Sequence, residues 1–126
     1  NFTRPMNISV EMVSGQNPDQ VRARLPCLVI ISFIYFDSFY VSGDHTETLE
    51  LEYDPNCTTY KDLLKIFWKN HNPTAVHKAQ YMSAIFYHNE DQKQLAEETR
   101  EEHQKIVKRK IVTKILPANT FYVAEQ

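Results

Sequence analysis

Residues 46–53 (TETLELEY) place the strongest constraint on how this chain can fold. Leu49, Leu51 and Tyr53 fall on one face of an extended backbone and Thr48, Glu50 and Glu52 on the other. This is the period of a half-buried strand. Asp54, Pro55 and Asn56 break it. The period then changes. Tyr60, Leu63, Leu64, Phe67 and Trp68 recur at i, i+3, i+4, i+7 and i+8, a single apolar stripe on a helix. Thr58 or Thr59 is placed to cap that helix, and Pro73 requires it to end earlier, so we expect it over residues 59–71. A strand with one buried face followed by a helix with one buried stripe implies a helix laid on a sheet.

The next segment repeats the arrangement. Residues 81–88 (YMSAIFYH) are apolar on both faces and read as a second, central strand. Asn89 is an N-cap for a long helix, with Gln92 placed for a capping box. Acids gather early (Glu90, Asp91, Glu97, Glu98) and bases late (Lys105, Lys108, Arg109, Lys110), as the helix macrodipole favours; the charges read as a solvated face. Residues 111–116 and 120–124 supply one or two further strands. The order β-α-β-α-β gives an α+β fold, a mostly antiparallel sheet with helices packed on it, of split βαβ or ferredoxin-like type. There is no internal repeat and no low-complexity tract.

Residues 1–42 lack this order. Residues 27–36 (CLVIISFIYF) are almost wholly apolar but too few to cross a bilayer, and Asp37 follows at once. They read as a buried strand or a piece of core helix. Residues 1–26 carry no clean period and are expected to be loosely held. The first residue is Asn rather than Met, so the start of the chain is expected to be missing.

Composition removes several function classes. A length of 126 residues suits one domain with a real core, and 42% hydrophobic against 24% charged residues makes it globular. A net charge of −2 offers no basic footprint for nucleic acid or anionic lipid. The only glycines are Gly15 and Gly43, too few for a phosphate-cradling loop. Cys27 and Cys57 make neither a disulfide framework nor a zinc motif. Cys57, in a turn, reads as a plain surface thiol, and the expected setting is reducing and cytoplasmic. Sequons at Asn1, Asn7 and Asn56 match a short pattern that is common by chance. His45 and Glu47 have the spacing of a zinc-deaminase H-x-E, but no P-C-x-x-C follows, so no metal site is expected.

Several phrases then fall into one order. Gly43-Asp44-His45-Thr46-Glu47 leads into the first strand, and Tyr53-Asp54-Pro55 closes it. Tyr60-Lys61-Asp62-Leu63-Leu64 runs on to Phe67-Trp68-Lys69-Asn70-His71 and Pro73-Thr74. Gln80-Tyr81-Met82-Ser83-Ala84-Ile85-Phe86-Tyr87, Ile111-Val112-Thr113 and Phe121-Tyr122-Val123-Ala124-Glu125 complete the series. Together they resemble the A-type peptide methionine sulfoxide reductases, in the animal-type form with GDHTE, over residues 43–126, about two thirds of the chain. The resemblance divides the chain into a divergent or non-family segment, 1–42, and a partial reductase domain, 43–126.

The resemblance implies an oxidoreductase of protein repair, which returns methionine S-sulfoxide, free or in proteins, to methionine. A low-pKa thiolate would attack the sulfoxide sulfur and become a sulfenic acid. A neutral carboxylic acid and phenols would donate to the departing oxygen. Glu47 matches the acid and Tyr81 one of the phenols. The two are expected to meet in one shallow pocket from neighbouring strands, with His45 ordering the turn. No cofactor is bound by this family; thioredoxin or another dithiol restores the enzyme. The implied partners are methionine-sulfoxide proteins and a thioredoxin-like reductant, with no nucleic acid, no membrane and a monomeric state.

The departures concern the nucleophile. The family's Gly-Cys-Phe-Trp-Gly turn is absent. Cys27 stands between Pro26 and Leu28, in an apolar run that raises a thiol pKa, and is a weak candidate for the role. Residues 74–80 (TAVHKAQ) lack the aspartate that many members carry there. Tyr40 sits in unfamiliar company, and the usual His-Gln-Tyr continuation does not appear before Gln126. The chain is therefore expected to be a catalytically impaired reductase. The alternatives are a non-catalytic module that binds a methionine peptide or a partner, and a purely structural domain.

Overall fold

The computed structural model describes residues 4–9, 18–25, 27–37, 45–75, 83–118 and 122–123. In chain order these form β1 (Arg4–Ser9), α1 (Pro18–Arg24), β2 (Leu28–Asp37), β3 (His45–Tyr53) and α2 (Tyr60–Lys69). β4 (Ala84–Tyr87), α3 (Glu90–Gln104), β5 (Lys114–Pro117) and β6 (Tyr122–Val123) follow. The strands make one sheet in the order β5-β4-β1-β3-β2-β6. β1 is antiparallel to both β3 and β4, so β3 and β4 run parallel with β1 between them. β4 and β5 are also parallel, and α3 makes the crossover between them. This is the expected α+β fold, with the split βαβ unit formed by β3, α2 and β4.

The local signals act as anticipated. Thr59 caps α2, its side chain accepting from Asp62 N at 3.1 Å. Tyr60, Leu63, Leu64, Phe67 and Trp68 are all buried. A helix of 10 residues is too short to persist alone, so this stripe holds α2 to the sheet. The stripe meets Met6, Ile8, Leu49, Leu51, Tyr53 and Ile85, joined by Val21 and Leu25 from the α1 segment and Ala96 of α3. Ala84 and Phe86 alternate with Ile85 and belong to a second cluster with Leu116 and Ala118, so β4 is buried on both faces. Asn89 caps α3 and accepts from Gln92 N at 2.9 Å. The Gln92 carboxamide reaches back to His88 N at 2.9 Å, one residue beyond the usual capping-box partner, and also donates to Pro5 O at 2.7 Å.

Two expectations are corrected. Residues 4–9 are not loosely held: β1 lies inside the sheet, with Met6 and Ile8 at 0% exposure. The six residues RPMNIS are too short and too mixed to announce a strand, and their pairing partners lie far along the chain. Residues 111–113 are not part of a strand; β5 begins at Lys114. They are pinned instead by Val112 N to Pro73 O at 2.8 Å and Ile111 N to Gln104 Oε1 at 2.8 Å. The apolar run 28–37 is a strand, the first of the two readings. Asn7 is 1% exposed and its Oδ1 is bonded to His88 Nε2, so the folded chain leaves no room for a glycan there.

If β1 is integral, Ile8→Ala should lower stability by about 2–5 kcal/mol, as large-to-small core changes do. A loss in urea unfolding below about 0.5 kcal/mol would put Ile8 on the surface. A pH prediction follows from two histidines. Partial burial lowers the pKa of His88, with Glu50 opposing, and burial and then Lys69 lower that of His103. The unfolded chain therefore binds more protons as pH falls through the ordinary value of 6.5. This stability is present above that value and lost below it. The urea midpoint should drop on acidification across that value, and His88→Gln should reduce the drop.

Candidate active site

The site implied by the motif residues lies at one end of the sheet. Glu47 is in β3, opposite Tyr35 of β2 in the ladder, and His45 is opposite Asp37. Ile8 of β1 faces both Leu49 of β3 and Ile85 of β4. Because β3 and β4 are parallel, the chain enters β4 at the same end of the sheet at which β3 carries Glu47. Tyr81 and Tyr40 lie outside the described residues. The strand that follows Tyr81 is not a neighbour of β3, however. β1 intervenes, which sets the two strands about 10 Å apart.

Beneath this end runs a polar chain that the sequence reading did not single out. His71 follows α2, and its Nδ1 lies 2.7 Å from Phe67 O. A carbonyl only accepts, so Nδ1 carries the proton. In the neutral ring Nε2 then accepts from Ser83 Oγ at 2.8 Å. Ser83 Oγ is 2.7 Å from Thr113 Oγ1, which becomes the donor to it. Lys114 N bonds Ser83 O at 3.1 Å. Ser83 is 4% exposed and Thr113 3%, so this Ser–His pair is a positioning device rather than a nucleophile and base. It joins the end of α2, the start of β4 and the entry to β5. The available signal was one serine in an otherwise apolar and aromatic run, YMSAIFY, whose hydroxyl requires a partner if buried.

The cysteines are on the other side of the pattern. Cys27 and Cys57 form a disulfide with Cα atoms 5.8 Å apart, and no described cysteine is free. This corrects the reading of Cys57 as a plain surface thiol. While the bond stands, Cys27 has no thiolate to offer. Cys27 has φ 69, a left-handed conformation that costs a residue with a Cβ roughly 1 kcal/mol or more. Its carbonyl accepts from Asp54 N at 3.3 Å, which fastens the approach to β2 against the turn after β3. Nearby, Tyr60 is 5% exposed and its hydroxyl finds no partner among the described residues. Burial, and then Tyr53, push that phenol well above its usual pKa.

A separate groove of about 260 Å³ opens between α2 and α3, lined by Trp68, Lys69, Thr99, His103 and Ile106 among others. Its floor is fixed by Trp68 Nε1 donating to Thr99 Oγ1 at 2.9 Å and by the stacked Trp68 and His103 rings, 5.8 Å apart. Its lining comes from α2, α3 and the turn after α3 and includes no strand residue. Among the described residues, no group of three His, Cys, Asp or Glu side chains is arranged to hold a metal.

The polar chain gives a stability prediction. Ser83→Ala leaves His71 Nε2 and Thr113 Oγ1 without their shared partner and should cost about 1–3 kcal/mol. The double change Ser83→Ala with Thr113→Val should cost less than the two single losses added. Simple additivity in urea unfolding would break the network reading.

Comparison with known proteins identifies the frame. The family model of peptide methionine sulfoxide reductase matches residues 34–126. Peptide methionine sulfoxide reductase A1 of Arabidopsis thaliana is 43% identical over 98 residues, covering 73% of this chain and 48% of that protein. MsrA of Methanosarcina acetivorans is 44% identical over 89 residues, covering 64% of this chain and 47% of that protein. The chain thus spans about half the length of these relatives. Mxr1 from Saccharomyces cerevisiae in reduced form superposes with a TM-score of 0.81 at 22% identity, covering 98% of this chain and 81% of that one. Methionine sulfoxide reductase A of Corynebacterium diphtheriae gives a TM-score of 0.69 at 22% identity, covering 98% of this chain and 70% of that one. At those identities the structures establish the fold, and the sequence matches establish the lineage: the chain belongs to the peptide methionine sulfoxide reductase family.

Proposed function

We propose that this chain forms the acid-bearing part of a reductase acting on methionine S-sulfoxide, with Glu47 and Tyr81 as proton donors to the sulfoxide oxygen. The observation that carries the proposal is the family match over residues 34–126, which includes both residues. The shared sheet end of β3 and the entry to β4 supports it, as does the polar chain that steadies that end. In the proposed reaction a thiolate attacks the sulfoxide sulfur. Glu47, protonated, gives its proton to the oxygen, and the phenol of Tyr81 shares the developing charge. The sulfenic acid so formed is cleared by thiols. Mxr1 has been crystallised in complex with Trx2, which supports a thioredoxin-type dithiol as the reductant here. A cytoplasmic setting, where such dithiols are abundant, belongs to the same proposal.

The nucleophile is the point of departure. No Gly-Cys-Phe-Trp-Gly turn occurs in the 126 residues, and Cys27, bonded to Cys57, precedes Leu28, which pairs with Tyr53 at the end of β3 away from Glu47. Carboxyl and phenol groups donate protons but do not form the covalent bond to sulfur. The chain as it stands should therefore recognise the sulfoxide without turning it over, which also favours the second reading, a binding module on the same fold.

The test uses a peptide containing methionine S-sulfoxide, with and without dithiothreitol. We expect measurable binding and no turnover at a rate typical of enzymes. Glu47→Gln, which keeps a donor, should retain much of the binding, and Glu47→Ala should abolish it. Turnover that is lost in Cys27→Ser would make Cys27 the nucleophile. Binding indifferent to both Glu47 changes would remove Glu47 from the site.

A further inference from the structure

The Cys27–Cys57 bond belongs neither to the family's nucleophile turn nor to the sheet end that carries Glu47. Its surroundings have a chemistry of their own. Cys57 is exposed and Cys27 is partly exposed. Cys57 stands two residues ahead of Thr59, the N-cap of α2, where free backbone N–H groups and the helix dipole favour negative charge. Arg22 donates to Leu28 O at 2.7 Å and to Val29 O at 3.3 Å, which holds a guanidinium on the backbone just after Cys27. A cation is thus held on the backbone beside Cys27, and of the two half-cystines Cys57 is the more exposed.

We propose that this disulfide is a thiol-exchange site, at which low-molecular-weight thiols attack Cys57 in the folded protein and Cys27 leaves. The incoming thiolate forms a bond to Cys57 Sγ as the Cys27–Cys57 bond breaks. The electron pair departs on Cys27 Sγ, which takes a proton from water. A second thiol attacks the added sulfur, releasing Cys57 as thiolate and carrying away a small disulfide. Two thiols are oxidised and one protein disulfide is reduced. Access directs the first attack to Cys57, since thiol exchange depends on which sulfur can be reached. In the dithiol form Cys57, the more exposed of the two, is the nucleophile that closes the bond again.

The consequence is local. The bond and the Asp54 N to Cys27 O contact together fasten the approach to β2 onto the turn before α2. Exchange removes the first fastening and leaves the β2–β3 ladder in place.

The test is direct on the full chain in its oxidised form. It is incubated with reduced glutathione in native buffer, blocked with N-ethylmaleimide, and mapped by peptide mass spectrometry. We expect glutathione on Cys57 and maleimide on Cys27, formed without denaturant. Glutathione found mainly on Cys27, or shared equally between the two, overturns the assignment of the outer sulfur. A bond that resists glutathione until urea unfolds the protein overturns the site altogether.

Discussion

The sheet depends on β1 being inserted between β3 and β4. One short strand satisfies two others: Ile8 faces Leu49 and Ile85, and Asn7 faces Glu50 and Phe86. Without it the sheet would fall into two pieces, β5-β4 and β3-β2-β6, each with an unpaired edge. The buried stripe of α2 lies over both pieces, so its burial also requires them to be joined. β1 is in turn held by groups from the later part of the chain. Gln92 donates to Pro5 O, and His88 bonds Asn7. The cap of α3 thus serves both the helix and the central strand.

Polar groups at the two ends of β4 fix its position in the sheet. At one end are His88, Asn7 and Gln92; at the other are His71, Ser83 and Thr113. Each buried hydroxyl or amide there has a partner, and the penalty for leaving one unpaired exceeds the net gain of an ordinary hydrogen bond. Strand β4 therefore has little freedom to slide. Its entry, next to the Tyr81 segment, and the Glu47 row of β3 are kept at the same end of the sheet.

What could be read from the sequence follows from which signals are local. The stripe Tyr60, Leu63, Leu64, Phe67 and Trp68 and the caps Thr59 and Asn89 are decided by neighbours within a few residues, and the structure contains them. The family motifs were legible because their order is specific, and the family model confirms the lineage over residues 34–126. The place of β1 was not legible, because RPMNIS owes its burial to partners more than forty positions away. The disulfide was missed for a similar reason: Cys27 and Cys57 are 30 residues apart and meet only because β2 pairs with β3. The His71–Ser83–Thr113 chain joins three separate segments, and a lone serine among apolar residues was its only trace.

Native-state hydrogen exchange reads the inserted strand most directly. The hydrogen-bonded amides of Met6, Asn7 and Ile8 should exchange only through global unfolding, with protection equal to that of Leu49–Leu51 in β3. Amides in β1 that exchange far faster than those of β3, under the same conditions, would contradict that insertion and return the N-terminal segment to the loosely held state.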